Sequence, residues 1–266
     1  MKSLELDKYH GLGNDFLILR DLENQFSVDT ELIKRACDRH KGIGADGFII
    51  VSQPQSNQAL VAMKLINADG SEAEMSGNGI RCLTHFVLMQ GIVSSEQFKI
   101  ETGAGLREVR IHNQDPMSPI MEVAVDMGIA EIGPDQPQPD TTRRARSIDM
   151  GNPHLVLFGP DPDIVDVETM GPQIEAVHKN GVNIEFVTVT DQGELKIRVW
   201  ERGVGETMAC GTGSAAAAVA TRSWGLIQEQ VLVHNPGGTL HVDLSNRKII
   251  LTGPTEYICK AELYIQ

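Results

Sequence analysis

The amino-acid sequence predicts an α+β fold of two pseudo-symmetric halves, each a curled, mostly antiparallel β-sheet around one central helix. Three observations support this. First, residues 67–106 and 201–240 read as two copies of one unit. One copy begins Asn67-Ala-Asp-Gly-Ser-Glu-Ala-Glu-Met-Ser76-Gly77-Asn78-Gly79, the other Glu201-Arg-Gly-Val-Gly-Glu-Thr-Met-Ala-Cys210-Gly211-Thr212-Gly213. Each puts a small nucleophile on the same turn, with a helix-ending glycine, Gly91 or Gly225, fifteen residues later. Second, many strand-like segments follow one another in hairpin-like succession with few helices between, which argues against a doubly wound parallel sheet. Third, the helix at Ser214–Ala220 is small on every face and its counterpart Ile80–Met89 is equally apolar, so each should be wrapped by sheet.

Taken in order, alternation marks strands at Leu4–Tyr9, Phe16–Leu19, Phe48–Val51 and Val61–Ile66. Asp29 is a cap residue ahead of helical spacing that runs to Arg39. A second helix is predicted over Gly77–Gln90, then strands at Phe98–Glu101, Arg107–His112 and Ile120–Asp126. The pattern then repeats. A loop rich in Pro and Asp (Gly133–Asp140) leads to a strand at Leu155–Phe158, a helix near Val165–His178, and strands at Asn183–Val189 and Leu195–Trp200. The helix Gly211–Trp224 follows, with strands at Val231–His234, Leu240–Leu244, Lys248–Leu251 and Tyr257–Ile265.

With 266 residues the chain can bury a large core, divided into two domains of roughly 130 residues. A formal charge of −13 argues against a nucleic-acid partner. The one basic run, Arg143-Arg144-Ala-Arg146, is expected to be a solvated loop. The N-terminus has no apolar signal core, and the longest apolar stretch, Ala215–Ala220, is far too short to cross a bilayer. Four cysteines (Cys37, Cys82, Cys210 and Cys259) without CxxC or His-rich spacing suggest neither a disulfide scaffold nor a metal site. The expected setting is a reducing cytoplasm, with no membrane partner.

Cys-Gly-Thr-Gly immediately before a helix has a chemical logic. The first N–H groups of a helix lack internal partners and carry the positive end of its dipole. Glycines let a ligand carboxylate approach them. The same field is expected to lower the pKa of a cysteine there. Two such termini converging on one amino acid would grip its α-carboxylate and set a nucleophile on each face of the α-carbon. One group removes a proton, the other delivers one from behind, and configuration inverts. The N–H groups stabilise the enolate-like intermediate. This arrangement needs no pyridoxal or other cofactor, and no lysine is well placed for one.

His10-Gly-Leu-Gly-Asn14-Asp-Phe, Asp38 to Gly47, Asn67-Ala-Asp-Gly, Gly77-Asn-Gly-Ile-Arg-Cys82, Gly151-Asn-Pro-His154, Gly181-Val-Asn183, Glu201-Arg202-Gly-Val-Gly-Glu-Thr and Ala209-Cys-Gly-Thr-Gly213 occur in order along essentially the whole chain. Together they resemble the diaminopimelate epimerase family. The resemblance implies two β-barrel halves, each around a helix, with the active site in the cleft between them. It also implies that the C-terminal strand returns to the first half, giving domains of residues 1–128 plus 257–266, and 129–256. The implied reaction is cofactor-independent interconversion of LL- and meso-2,6-diaminopimelate, in lysine and peptidoglycan-precursor synthesis, by a homodimer. By position, Cys210 resembles one of two catalytic thiols. Gly77, Asn78, Gly211 and Thr212 would hold the reacting carboxylate. Glu201 would face the α-ammonium and tune the thiols, and His154 would modulate a thiol pKa. Asn14, Asn67, Asn152, Asn183 and Arg202 would read the substrate, Arg202 by bidentate pairing with a distal carboxylate. Cys82 aligns with Ala216 in the repeat and reads as packing.

One position departs from the family pattern. Residue 76 should be the partner cysteine, and it is serine. An alcohol's pKa lies near that of water, about 15.7, against roughly 8.5 for a thiol. The gap of about 7 units is on the order of 10 kcal/mol, far more than a helix terminus offsets. Two-base chemistry should therefore be crippled. The serine is either an engineered replacement or natural drift toward proline-racemase-like relatives; the intact surroundings favour the first. Alternative functions are a racemase of another amino acid such as histidine, a thiol hydrolase using Cys210 with His154 as base, and a non-catalytic amino-acid-binding protein.

Overall fold

The computed structural model describes residues 2–26, 28–112, 115, 118–136 and 144–265. It divides into two compact units, Met1–Val125 with Gly253–Gln266, and Asp126–Thr252.

The first unit is built from β1 (Lys2–Gly11), β2 (Asn14–Arg20), α1 (Thr30–Cys37), β3 (Gly47–Ser52), β4 (Val61–Asn67), β5 (Glu72–Ala73), α2 (Gly77–Met89), β6 (Gln97–Thr102), β7 (Gly105–Ile111) and β8 (Ile120–Gly128). In the second come β9 (Glu131–Gln136), β10 (Arg144–Asp149), β11 (Pro153–Phe158), a 3-10 turn at Pro162–Ile164, α3 (Val167–Ala176), β12 (Asn183–Val189), β13 (Leu195–Glu201), β14 (Gly205–Thr207), α4 (Gly211–Ser223), β15 (Gln230–Asn235) and β16 (Gly238–Asp243). The last strand, β17 (Ile249–Ile265), gives its first residues to the second unit and the rest to the first.

Pairings β1–β2, β2–β3, β3–β4, β4–β6, β6–β7, β7–β8, β8–β17 and β17–β1 close a ring of eight strands in the first unit. In the second, β9 to β13, β15, β16 and the start of β17 pair in the corresponding succession. The two units repeat in register: β4 pairs with β5 at Leu65↔Ala73, and β13 with β14 at Val199↔Thr207, the same pair displaced by 134 residues. Most neighbours are antiparallel. The parallel pairs β2–β3, β11–β12, β4–β6 and β13–β15 are each joined through a helix, as parallel strands require.

Each ring surrounds its own helix. α2 touches β1, β2, β3, β4 and β7, and is buried from Gly77 through Val87. α4 touches β10, β11, β12, β13, β15 and β16, and every residue from Gly213 through Thr221 is buried. The run Ala215–Ala218 keeps that helix thin enough for a tight wrap. α1, capped where the Asp29 carboxylate accepts from Leu32 N at 2.8 Å, packs with Leu4, Leu17, Leu19 and Phe48 in a second core outside the ring. α3 borders the equivalent core of Leu155, Ile184 and Phe186. Strands covered on both faces explain the continuous apolar runs Phe48-Ile-Ile-Val51 and Phe16-Leu-Ile-Leu19.

Three expectations are corrected. The Pro/Asp-rich segment is not a loop over Gly133–Gln136: those residues belong to β9 and pair with β10, while 137–140 lie outside the described residues. The basic run is not a solvated loop either. Arg143 is outside the described residues, but Arg144 and Arg146 are in β10 and lay their guanidiniums over the Trp224 ring, and Arg146 Nε donates to Asp135 at 2.8 Å. The cation–π contact and ion pair supply what alternation could not reveal. The two last predicted strands are one, because β17 stays extended through Gly253 and Pro254.

Inside the first unit, α2 is tied down by a buried imidazole. His85 Nε2 donates to Ser118 O at 3.1 Å, which fixes the neutral tautomer, so Nδ1 accepts from Thr255 Oγ1 at 2.8 Å. Burial lowers its pKa to about 4, only partly opposed by the Ser118 carbonyl. The unfolded chain therefore binds a proton the folded chain refuses. Stability is full above pH 6.5 and is lost as pH falls toward about 4. The variant H85Q should flatten the stability–pH curve over that window in chemical denaturation; an unchanged slope would assign the acid sensitivity elsewhere.

Candidate functional site

Each unit gathers polar side chains at the N-terminus of its central helix. Ser76 is the N-cap of α2, with φ −137° and ψ 125°, and its Oγ accepts from Gly79 N at 3.0 Å. Cys210 is the N-cap of α4, with φ −121° and ψ 118°, and its Sγ accepts from Gly213 N at 3.3 Å. Both are half-turned out of the helix in the extended backbone that an N-cap requires. The next backbone amides, of Gly77 and Asn78 or Gly211 and Thr212, occupy the positions that lack intrahelical acceptors.

Around α2, hydrogen bonds orient the asparagines in series. Arg81 Nη2 donates to Asn78 Oδ1 at 2.9 Å, Asn78 Nδ2 to Asn14 Oδ1 at 3.1 Å, and Asn14 Nδ2 to Asp46 Oδ2 at 3.0 Å. Asp46 is in turn held by Arg39, which also binds Asp15. Burial raises the Asp15 pKa, but Arg39 and Lys8 outweigh it and hold the carboxyl at about 2. Asn67, at the end of β4, donates to Ser71 Oγ at 3.0 Å in its own turn. Arg81 is fully buried, gives Nη1 to Gly77 O at 2.9 Å, and among the described residues meets no carboxylate. Burial lowers it to about 10. Cys82 beside it is fully buried and pushed up to about 12, again by burial.

Around α4 lies a denser cluster. Glu201 Oε1 accepts from Thr207 Oγ1 at 2.6 Å across the β13–β14 hairpin. Thr212 Oγ1 is 3.4 Å from Cys210 Sγ. Asn183 Oδ1 accepts from Arg202 N at 3.0 Å while its Nδ2 donates to Pro153 O at 3.0 Å. The exposed Arg202 side chain lies against Gly181, with Nη1 3.4 Å from Asn180 O. His154 bridges Asn152 Oδ1, 3.0 Å from Nε2, and Glu185 Oε1, 2.6 Å from Nδ1.

The electrostatics of Cys210 reverse one expectation. A helix terminus alone would ease ionisation, yet the thiol pKa stands well above its usual range. Burial is the main cause and the Glu201 carboxylate adds to it; the hydrogen bonds from Thr212 and the Gly213 amide oppose them and lose. In the free protein Cys210 is a thiol, not a thiolate. Glu201 is also raised, mainly by burial, against the hydrogen bonds from Thr207 and Cys210.

Sequence reading missed Glu185 and the role of Arg81. Glu185 was visible as an acid within the apolar run Asn183-Ile-Glu-Phe-Val, two residues past a motif already singled out. Arg81 was equally visible as a cation on a helix predicted to be apolar all round. Asp46 and Thr207 act through tertiary partners that no local pattern announces.

A helix ringed by strands, built twice in one chain with a hydroxyl or thiol cap at each helix start, defines the class: a duplicated α+β fold. Solved structures share it. A PhzF-family phenazine biosynthesis protein of Bacillus anthracis superposes with TM-score 0.77 at 16% identity over 100% of both chains. A hydroxyproline epimerase of Agrobacterium vitis gives 0.73 at 15% identity, over 98% of this chain and 92% of its own. The family model described as diaminopimelate epimerase matches residues 7–132 and 146–258, and the chain belongs to that family. The diaminopimelate epimerases of Desulforapulum autotrophicum and Heliobacterium modesticaldum are 40% and 38% identical, each aligned over 98% of this chain and 99% of their own.

Gly213 supplies a test of the α4 cluster. A Cβ there would lie 2.8 Å from Glu185 Oε1 and 3.2 Å from Cys210 Cβ, both packed groups. Gly→Ala in a helix ordinarily stabilises by about 1 kcal/mol. At position 213 the sign should reverse, with a loss of about 1–3 kcal/mol in denaturant unfolding from overpacking. A stabilised G213A would show that the carboxylate moves aside freely.

Proposed function

We propose that this chain is an epimerase of LL- and meso-diaminopimelate in which the capped helix termini bind the substrate carboxylate and residues 76 and 210 hold the two acid–base positions. The observation that carries the reading is the matched pair of caps: Ser76 and Cys210 occupy equivalent helix-start positions with near-equal backbone angles, in a chain of the diaminopimelate epimerase family. The amides of Gly77, Asn78, Gly211 and Thr212 would stabilise negative charge as it develops on the carboxylate. Asn14, Asn67, Asn152, Asn183 and Arg202 would recognise the remaining polar ends.

Cys210 as thiol is ready to donate a proton to a carbanion. To act as base it must first ionise. A substrate ammonium placed beside Glu201 would neutralise the carboxylate that, after burial, contributes most to the raised thiol pKa. Glu201 thus couples substrate binding to thiolate formation. Ser76 cannot match this. Its hydroxyl is committed to Gly79 N and titrates far above any neutral range, so the chain should move protons on the Cys210 face alone. A homodimer in the cytoplasm is the setting that accompanies this reading.

S76C should raise epimerisation of diaminopimelate by orders of magnitude in a coupled assay or by NMR of the two stereoisomers. No gain would reject the assignment. In the unaltered chain, deuterium should enter the α-position of one stereoisomer without inversion, and C210A should abolish that uptake; persistence of exchange would place the base elsewhere.

A further inference from the structure

One buried acid in the α4 cluster has no part in the chemistry just described. Glu185 is 0% exposed on β12, between the core residues Ile184 and Phe186. Its Oε1 stands 2.6 Å from His154 Nδ1, and its Oε2 has no hydrogen-bond partner among the described residues. An ionised, half-satisfied carboxylate in such a place is strongly disfavoured. Space for it exists because residue 213 is glycine: the same missing Cβ that clears Glu185 Oε1 also borders Cys210 Sγ, at 3.3 Å. The carboxylate therefore sits beside the first turn of α4, next to the thiol.

Proton accounting narrows its state. Asn152 Oδ1 can only accept, so His154 Nε2 carries a hydrogen. The 2.6 Å contact at Nδ1 then needs one more proton between two acceptors. Either the carboxylic acid donates to the imidazole, or the imidazolium donates to the carboxylate. In both arrangements the pair is neutral overall.

We propose that Glu185 is a positioning residue for the reaction: it shares a proton with His154, fixes that ring on Asn152, and keeps net negative charge away from Cys210. This rests on the reading of Cys210 as the acid–base group. The other titratable groups facing the pair are Glu201 from β13 and Cys210 from α4. Loss of the shared proton would leave a second buried anion beside the thiol, and burial already holds the Glu185 carboxyl above its usual range. With that proton gone, Cys210 becomes harder to ionise.

E185Q keeps the shape and a hydrogen bond to Nδ1 but cannot share the proton. In the S76C background it should lower kcat by about tenfold or more, with KM within about twofold, and shift a limb of the kcat–pH profile by about one unit. Unchanged kcat and profile in a folded protein would overturn the proposal. The second measurement does not need turnover. In the unaltered chain, the proton between Glu185 Oε1 and His154 Nδ1 should appear as a strongly downfield NMR resonance that E185Q loses. If S76C shows no epimerisation, the reaction assignment falls, and this resonance alone decides the shared proton: present and lost in E185Q upholds it, absent overturns it. Should E185Q fail to fold, the resonance in the unaltered chain decides by itself, its presence upholding the shared proton and its absence overturning it.

Discussion

The structure depends on a buried helix whose first turn is closed by its own cap residue. Both central helices lie inside their strands over most of their length, where a free amide would be costly. A single side chain resolves this in each unit. Ser76 Oγ or Cys210 Sγ takes the amide three residues on, and the following amide is taken by the cap's own carbonyl. Glycines at 77, 79, 211 and 213 keep that turn narrow. Ring, helix and cap are one device, because a helix not held centrally would not deliver its amides to a fixed place.

The two copies have diverged in charge. On α2 itself the buried ion is a cation, Arg81, bound to a carbonyl and an amide oxygen. At α4 the ionisable groups are the buried Glu185, His154 and Cys210 and the half-buried Glu201. A bare guanidinium near a helix start adds positive potential where the backbone already offers it. The acids and thiol of the other copy would instead favour an ammonium and a mobile proton.

Much of this was legible in the sequence, and the reason differs by level. The duplication was readable because the repeat preserves spacing: Asn67 to Ser76 matches Glu201 to Cys210, and the structure keeps the same offset in its strand register. Helix caps and runs such as Asn183–Val189 were readable because they are local. The strands β9 and β10 were not, since a Pro-containing segment and a basic one are paired to each other and then fastened by Asp135, Arg146 and Trp224. The thiol was misjudged for the same reason. A helix terminus can be seen in a sequence, whereas the burial and the Glu201 carboxylate that overrule it are brought there by the fold.

Serine at position 76 shows stability and chemistry pulling apart. As a cap, a hydroxyl is at least the equal of a thiol: Ser76 Oγ accepts its amide at 3.0 Å, while Cys210 Sγ does so at 3.3 Å with the weaker sulfur acceptor. Caps differ among residue types by about 0.5–2 kcal/mol, so folding alone would accept serine at either helix. The proton-transfer deficit of an alcohol is on the order of 10 kcal/mol, several times larger. Cys210, buried, raised in pKa and a poorer cap, is therefore a residue whose presence folding does not explain. The proposed proton transfer would explain it.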